Sequence, residues 1–224
     1  MQNITLNNGV EIPILGFGVY QIAPKDTKSA VLNAIKAGYR HFDTAQAYAN
    51  EKEVGEAIRE SRIDRKEFFI TSKVWLSNYG YDKAYASVLE SLDRMELDYL
   101  DLMLLHQPFS DYYGAYHALE KLYKEGKLRA IGVSNFYPDR LSDIVAFNEI
   151  TPQVNQVETH PLNQQIFAQE NMIKKRCKLN LGLLLQKVVV TFSTIQFSKI
   201  LLINMVNPLH KSWFAGKFNG ELFA

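Results

Sequence analysis

The sequence predicts a (β/α)8 barrel, and three observations carry that expectation. Six strand-helix units of about 27 residues each follow one another between residues 15 and 176. Their crossovers are long enough only for parallel strand pairing. The third observation is a missing motif: an open doubly wound sheet normally carries G-x-G-x-x-G after its first strand, whereas "GFGVYQ" (16–21) has two glycines and no helix directly behind it. A barrel places its chemistry at the C-terminal ends of its strands, in the loops that lead to the helices.

Ahead of the units, "ITLNNGVEIPILG" (4–16) reads as two short strands around Asn8-Gly9, a pair that supplies the positive φ angles of a tight hairpin turn. The first unit is the apolar run Leu15 to Val19 and a helix with Ala30, Val31, Ala34 and Ile35 at helical spacing, opened near Pro24 and closed by Gly38. "RHFDT" (40–44) is the second strand, and Asn50 with Glu53 forms a capping box for a helix carrying Val54, Ala57 and Ile58. "FFITSKV" (68–74) is the third, followed by Ala84, Val88, Leu89, Leu92 and Met95 on one helix face. "YLDLMLLH" (99–106) is the fourth, with Ala115, Ala118, Leu119 and Leu122 lining a helix that Gly126 closes. "LRAIGVSNF" (128–136) is the fifth, and Pro138 starts a helix through Leu141, Ile144 and Val145. "PQVNQVE" (152–158) is the sixth, with a polar helix from about Gln164 to the lysines near 174.

Past residue 173 the chain changes character. Residues 173–224 hold 8 of the 25 lysines and arginines but only Glu221 of the 24 acidic residues. "LGLLLQKVVVTFSTIQFSKILLINMVN" (181–207) is a β-prone apolar run with neither alternation nor helix caps. We therefore divide the chain into a barrel portion, 1–172, and a divergent tail, 173–224, and expect the barrel to be incomplete at its C-terminal end, with strands seven and eight in doubt. A shift of reading frame near residue 173 would produce so abrupt a join.

Composition narrows the class of function. The 224 residues, 47% apolar, can bury one sizeable core, and a net charge of +1 gives no basic surface for nucleic acid or anionic membrane. No stretch approaches the ~20 apolar residues of a membrane span. The N-terminus has no charged region leading into an apolar one, and Cys177, the only cysteine, can form no internal disulfide, so a reducing cytoplasm is the expected location.

Polar residues recur at the strand ends: Asp43 after the second strand, Tyr48 in the loop behind it, Lys73 after the third and His106 after the fourth. Singly, each has a structural alternative: a helix cap, rim packing, a solvated terminus, a satisfied core histidine. As a set they form a chemical unit. A buried lysine cation beside a phenol lowers the phenol's pKa from ~10 toward neutrality, and a carboxylate keeps that lysine charged. Such a tyrosine can protonate a developing alkoxide while an imidazole orients a carbonyl oxygen.

The stretches that hold these residues resemble the aldo-keto reductases, closest to their bacterial diketogluconate-reductase-like branch. The resemblance rests on "GYRHFDTAQAY" (38–48), "ITSKVW" (70–75), "LDYLDLMLLHQP" (97–108), "AIGVSNF" (130–136) and "VNQVETHP" (154–161), and covers residues 1 to about 172. It implies a metal-free (β/α)8 barrel, closed at its bottom by an N-terminal hairpin, that reduces small-molecule aldehydes and ketones with NADPH as an NADP-dependent oxidoreductase acting on CH–OH groups. Tyr48 would be the proton donor, Lys73 and Asp43 its tuners, and His106 the residue that orients the carbonyl. Ser134, Asn135 and Gln156 would grip the cofactor's carboxamide, with Gly18 on the cofactor side, although Ser134 and Asn135 also suit a helix start before Pro138. Tyr20, Trp75 and Phe109 would wall the substrate pocket, or belong to the core. His160 reads as structural, and neither His117 nor His210 has a partner that suggests a metal site. A monomer is the family's habit. In the tail, nothing matches the family's nicotinamide-stacking aromatic residue or its "PKS"-like phosphate-binding segment. Two other readings stay open: a non-catalytic cofactor-sensing or interaction protein on the same barrel, and an inactive fragment.

Overall fold

The computed structural model describes residues 2–159, 163–182 and 222–223. The chain opens with an antiparallel hairpin, β1 (Asn3–Thr5) and β2 (Glu11–Pro13), paired through Ile4 and Ile12. Its turn is longer than the sequence suggests. The Gly9 N–H donates to the Leu6 carbonyl at 3.0 Å and the Leu6 N–H to Val10 at 2.8 Å, so the turn runs through Asn7 and Asn8, and only Gly9 takes a positive φ, +85°. This is a three-residue loop with a glycine bulge, which needs one left-handed position instead of two. The asparagine side chains are engaged elsewhere. Asn7 Nδ2 donates to the Arg176 carbonyl at 3.0 Å, and Asn8 Nδ2 to the Arg129 carbonyl at 2.9 Å. The turn thereby bolts the hairpin to the body.

The predicted units follow in order: β3 (Gly16–Gly18), α1 (Pro24–Lys36), β4 (His41–Asp43), α2 (Glu51–Glu60), β5 (Phe69–Val74), α3 (Tyr81–Met95), β6 (Leu102–Leu105), α4 (Tyr112–Lys124), β7 (Ile131–Ser134), α5 (Pro138–Phe147), β8 (Val154–Glu158) and α6 (Ile166–Lys174). Gly38 and Gly126 close α1 and α4 as expected, with hydrogen bonds from Tyr39 N to Ala34 O and from Lys127 N to Leu122 O, each at 3.0 Å. The strand pattern continues past residue 173: β9 (Lys178–Gly182) pairs with β8 and β10 (Leu222–Phe223) pairs with β9, both parallel. The sheet curls in the order β3-β4-β5-β6-β7-β8-β9-β10, and no pairing among the described residues joins its two ends. Most of the divergent tail, and His160 and His210 with it, lies outside the described residues.

Every residue of β5, β6 and β7 is buried, as expected of a parallel sheet covered on both faces. The helices' apolar stripes, among them Val54, Ala57 and Ile58 of α2 and Val88, Leu92 and Met95 of α3, form the outer core. A second core joins Leu6, Ile12 and Ile14 of the hairpin to Phe69, Leu102, Ala130 and Val154 near the strand starts, so the hairpin plugs the N-terminal end. Two contacts leave no room for a side chain. A Cβ on Gly55 would lie 2.2 Å from Met95 O, and one on Gly132 would lie 2.3 Å from Val154 O.

The capping box at Asn50 does not form. Asn50 precedes α2, but its side chain makes no capping bond. It is fully buried: Oδ1 accepts from Thr44 Oγ1 at 2.7 Å, and Nδ2 donates to the carbonyls of Val19 at 3.1 Å and Ile22 at 3.3 Å. A buried amide that serves two loop carbonyls and a hydroxyl stabilises more than one capping bond at a solvated helix start, so tertiary context wins. No helix of the described residues is long and apolar enough to cross a membrane.

Candidate active site

The residues singled out at the strand ends meet at the C-terminal end of the sheet. Asp43 is the last residue of β4, Lys73 the penultimate residue of β5, and His106 follows β6 directly, its N–H bonded to Val74 O at 3.2 Å. Tyr48 ends a short 3-10 turn, Gln46–Tyr48, in the loop after β4. The Lys73 side chain is 2% exposed and its Nζ has three oxygen partners: the Asp43 carboxylate, the Thr44 carbonyl at 3.1 Å and the Tyr48 hydroxyl at 3.5 Å. An ammonium has three protons, and here each has an acceptor. On the far side of the carboxylate, Gln156 Nε2 donates to Asp43 Oδ2 at 2.7 Å.

The electrostatics agree with the sequence reading in one respect and not in another. Burial pulls the Lys73 pKa down, but Asp43 and Tyr48 more than offset it, so the pKa is raised and the lysine stays charged. Tyr48 was expected to be acidified. Its pKa is raised instead, because burial outweighs the downward pull of Lys73, and Asp43 adds to the rise. The phenol is therefore held protonated beside a cation that can stabilise the phenolate once the proton leaves. His106 is pushed down to about 4, by burial first and Lys73 second, so its imidazole is neutral at pH 7. Its Nδ1 is buried and has no hydrogen-bond partner among the described residues. Trp75 and Tyr48 both approach the ring edge-to-face, with centroids 5.0 Å and 5.7 Å away.

Tyr48 and His106 line a cleft of about 430 Å³, together with Tyr20, Trp75, Ser134, Asn135 and Gln156; Lys73 and Asp43 are not part of its lining and reach it only through the Tyr48 hydroxyl. Tyr20 leans on Tyr48, with ring centroids 5.0 Å apart. Two of the residues expected to contact cofactor or substrate do not line the cleft either. Phe109 is 60% exposed on the loop before α4, and Gly18 ends β3 with open space where a Cβ would stand. Thr44 and Gln46 brace the site and left no mark in the sequence reading, because an amide or hydroxyl in a loop is ordinary turn chemistry, while Asn50, which braces it too, reads in sequence only as a helix cap.

The donor set fits a carboxamide. Asn135 takes a left-handed backbone, φ +63°, which aims its N–H at Gln156 O, 2.8 Å away. Its Nδ2 is committed to the His106 carbonyl and to Ser134 Oγ, each at 3.1 Å, and Gln156 Nε2 is committed to Asp43. Among the described residues, Asn135 Oδ1, Gln156 Oε1 and the Ser134 hydroxyl proton are left with no protein partner. Two acceptors and one donor complement an amide's N–H2 and C=O. The described residues contain no cluster of histidine, cysteine or carboxylate side chains able to hold a metal ion.

Comparison with known proteins gives the site its setting. Residues 15–195 match the sequence profile of the aldo/keto reductase family. Morphine 6-dehydrogenase of Pseudomonas putida is 45% identical over 80% of this chain and 60% of that protein, and glyoxal reductase of Bacillus subtilis is 51% identical over 70% and 58%. The chain thus spans about three-fifths of the length of these curated relatives. Among solved structures, an aldo/keto reductase from Brucella melitensis superimposes with a TM-score of 0.80 at 39% identity, over 81% of this chain and 72% of that one. A Bombyx mori aldo-keto reductase in complex with NADP gives 0.78 at 31% identity, over 81% and 66%. With the parallel β/α architecture, this match over most of its length means that the chain belongs to the aldo/keto reductase family.

Proposed function

We propose that this cleft is the site of an NADPH-dependent reduction of small aldehydes or ketones to alcohols. The observation that supports it is the Asp43–Lys73–Tyr48 chain, a phenol held protonated beside a buried, carboxylate-paired ammonium at the mouth of an open cleft. NADPH, when bound, supplies the hydride; Ser134, Asn135 and Gln156 would hold its carboxamide. The protein's own part is the proton. Neutral His106 orients the carbonyl oxygen toward the Tyr48 hydroxyl. As negative charge develops on that oxygen, Tyr48 gives up its proton and Lys73 stabilises the phenolate left behind. Asp43, held from the other side by Gln156, keeps the lysine charged.

The raised Tyr48 pKa sets a direction. Reduction needs the protonated phenol, present throughout the neutral range, whereas oxidation of an alcohol needs the phenolate. We expect reduction to be flat from about pH 6 to 9 and oxidation to climb with pH through that range. Titrating the purified chain with NADPH by fluorescence, then following NADPH oxidation with a generic aldehyde, tests the reading. Binding with turnover supports it. Binding without turnover would favour a cofactor sensor on the same barrel, and neither would favour an inactive fragment.

A further inference from the structure

We infer that Gln46 is a positioning residue that fixes the separation of the two aromatic rings flanking His106, an inference that rests on the reading of Tyr48 as proton donor. The Gln46 amide is spent at both ends. Its Oε1 accepts from the Trp75 N–H and from Asn78 Nδ2, each at 2.9 Å. Its Nε2 donates to the Ser87 carbonyl at 3.1 Å, to Ser87 Oγ at 3.2 Å and to Ser91 Oγ at 3.1 Å. A backbone N–H can only donate and a backbone carbonyl can only accept, so the amide has one allowed orientation. One half-buried side chain thus ties three segments together: the turn that carries Tyr48, the start of the loop after β5 that carries Trp75, and α3.

Tyr48 lies two residues beyond Gln46 on the same turn, and Trp75 donates its backbone N–H to Gln46 directly. These are the two rings set edge-on against His106. Ser91 also donates to Glu51 Oε2 at 3.3 Å, and Glu51 is held by Arg94 at 2.7 Å and by Ser72 at 2.6 Å, so the anchor on α3 is itself fixed. Releasing Gln46 would let the Tyr48 turn and the Trp75 loop drift apart. Ser134, Asn135 and Gln156 share no hydrogen bond with it.

The test uses Gln46→Leu, which loses every bond, and Gln46→Glu, which keeps the acceptors and cannot donate to the Ser87 carbonyl while ionised. Acrylamide quenching of Trp75 is read in a Trp213→Phe background, which leaves one tryptophan. Both variants should show stronger Trp75 quenching and a kcat for aldehyde reduction lower by about tenfold or more, as small misplacements of reacting groups cost. The NADPH dissociation constant should stay within about twofold, as for distant independent sites. Unchanged quenching and kcat in Gln46→Leu would overturn the inference, as would a kcat that falls only in proportion to folded protein measured by thermal melting. Stronger quenching in a chain whose unsubstituted form reduces no carbonyl would leave Gln46 as the brace and remove the reductase reading.

Discussion

The two ends of the sheet each pair a carboxylate with cations, and they use it differently. At the N-terminal end, Asp101 precedes β6 and is fully buried. Its Oδ2 takes Arg65 Nη2 at 2.7 Å and the Ile70 N–H at 2.9 Å, and its Oδ1 takes Arg129 Nη1 at 2.5 Å. Arg65 also stacks on Tyr99, 4.2 Å from the ring centroid, and bonds the Phe68 and Tyr99 carbonyls. The hairpin core closes this end. At the C-terminal end, Asp43 is paired as tightly, but the chain of bonds runs through Lys73 to a phenol that lines an open cleft, beside a neutral histidine. The contrast teaches that an ion pair at a strand end points to chemistry only where some group in its network still faces a cleft; where the network lines none, as around Asp101, the pair reads as architecture.

Substitutions can break that contrast. The largest effect is expected at Lys73→Met, which leaves the Asp43 carboxylate without its cation and the phenolate without its stabiliser. It should cost about 3–5 kcal/mol in denaturant unfolding and lower reduction by about 10²-fold or more. Asp101→Asn should destabilise by about 1–3 kcal/mol, the range for stranded charged hydrogen bonds, because Arg65 and Arg129 can still reach water. Its NADPH affinity per folded molecule should not change. Equal effects on turnover from both substitutions would dissolve the distinction between the ends.

Acid sharpens the comparison further. His41 is 2% exposed in the β4 strand between the two ends, and burial, with a smaller contribution from Lys73, pushes it down to about 4 despite opposing pulls from Asp43 and Asp101. The unfolded chain therefore binds a proton near pH 6.5 that the folded chain refuses until about pH 4. Stability is complete above that window and falls as pH drops through it, by up to about 3 kcal/mol for this residue, and His106 acts in the same direction. His41→Asn should flatten the slope of unfolding free energy between pH 7 and 4.5. The smallest effect belongs to the exposed Lys124–Glu149 pair at 2.6 Å: Lys124→Ala should leave the unfolding midpoint within error.

The order of strands and helices was legible because each unit repeats a buried run and an amphipathic stripe, and the polar residue that ends such a run stands out. That is how Asp43, Lys73 and His106 could be singled out as candidates, with Tyr48 following from the loop. What stayed hidden depends on partners far along the chain. Gln46 meets Ser87 and Ser91 on α3, Asn50 reaches back to Val19, and Asp101 draws on Arg65 and Arg129; no local pattern encodes these pairings. The sign of the Tyr48 shift was missed for a related reason, since the lysine's pull is readable from chemistry while the opposing burial exists only in the folded chain. Phe109 stands exposed outside the cleft lining, because a loop aromatic gives no indication in sequence of which way it turns. Asn50 with Glu53 fits the capping pattern by spacing alone, and the buried amide took the better-paid position.

The most direct test of the central claim is NADPH oxidation by Tyr48→Phe beside the unsubstituted chain, with NADPH binding measured on both. Removing only the hydroxyl should leave binding intact and reduce aldehyde turnover by about 10²–10⁴-fold, the contribution of a general acid. Turnover within a few-fold of the unsubstituted chain would mean that the proton comes from elsewhere, and that the lysine-paired phenol at the cleft is there for packing.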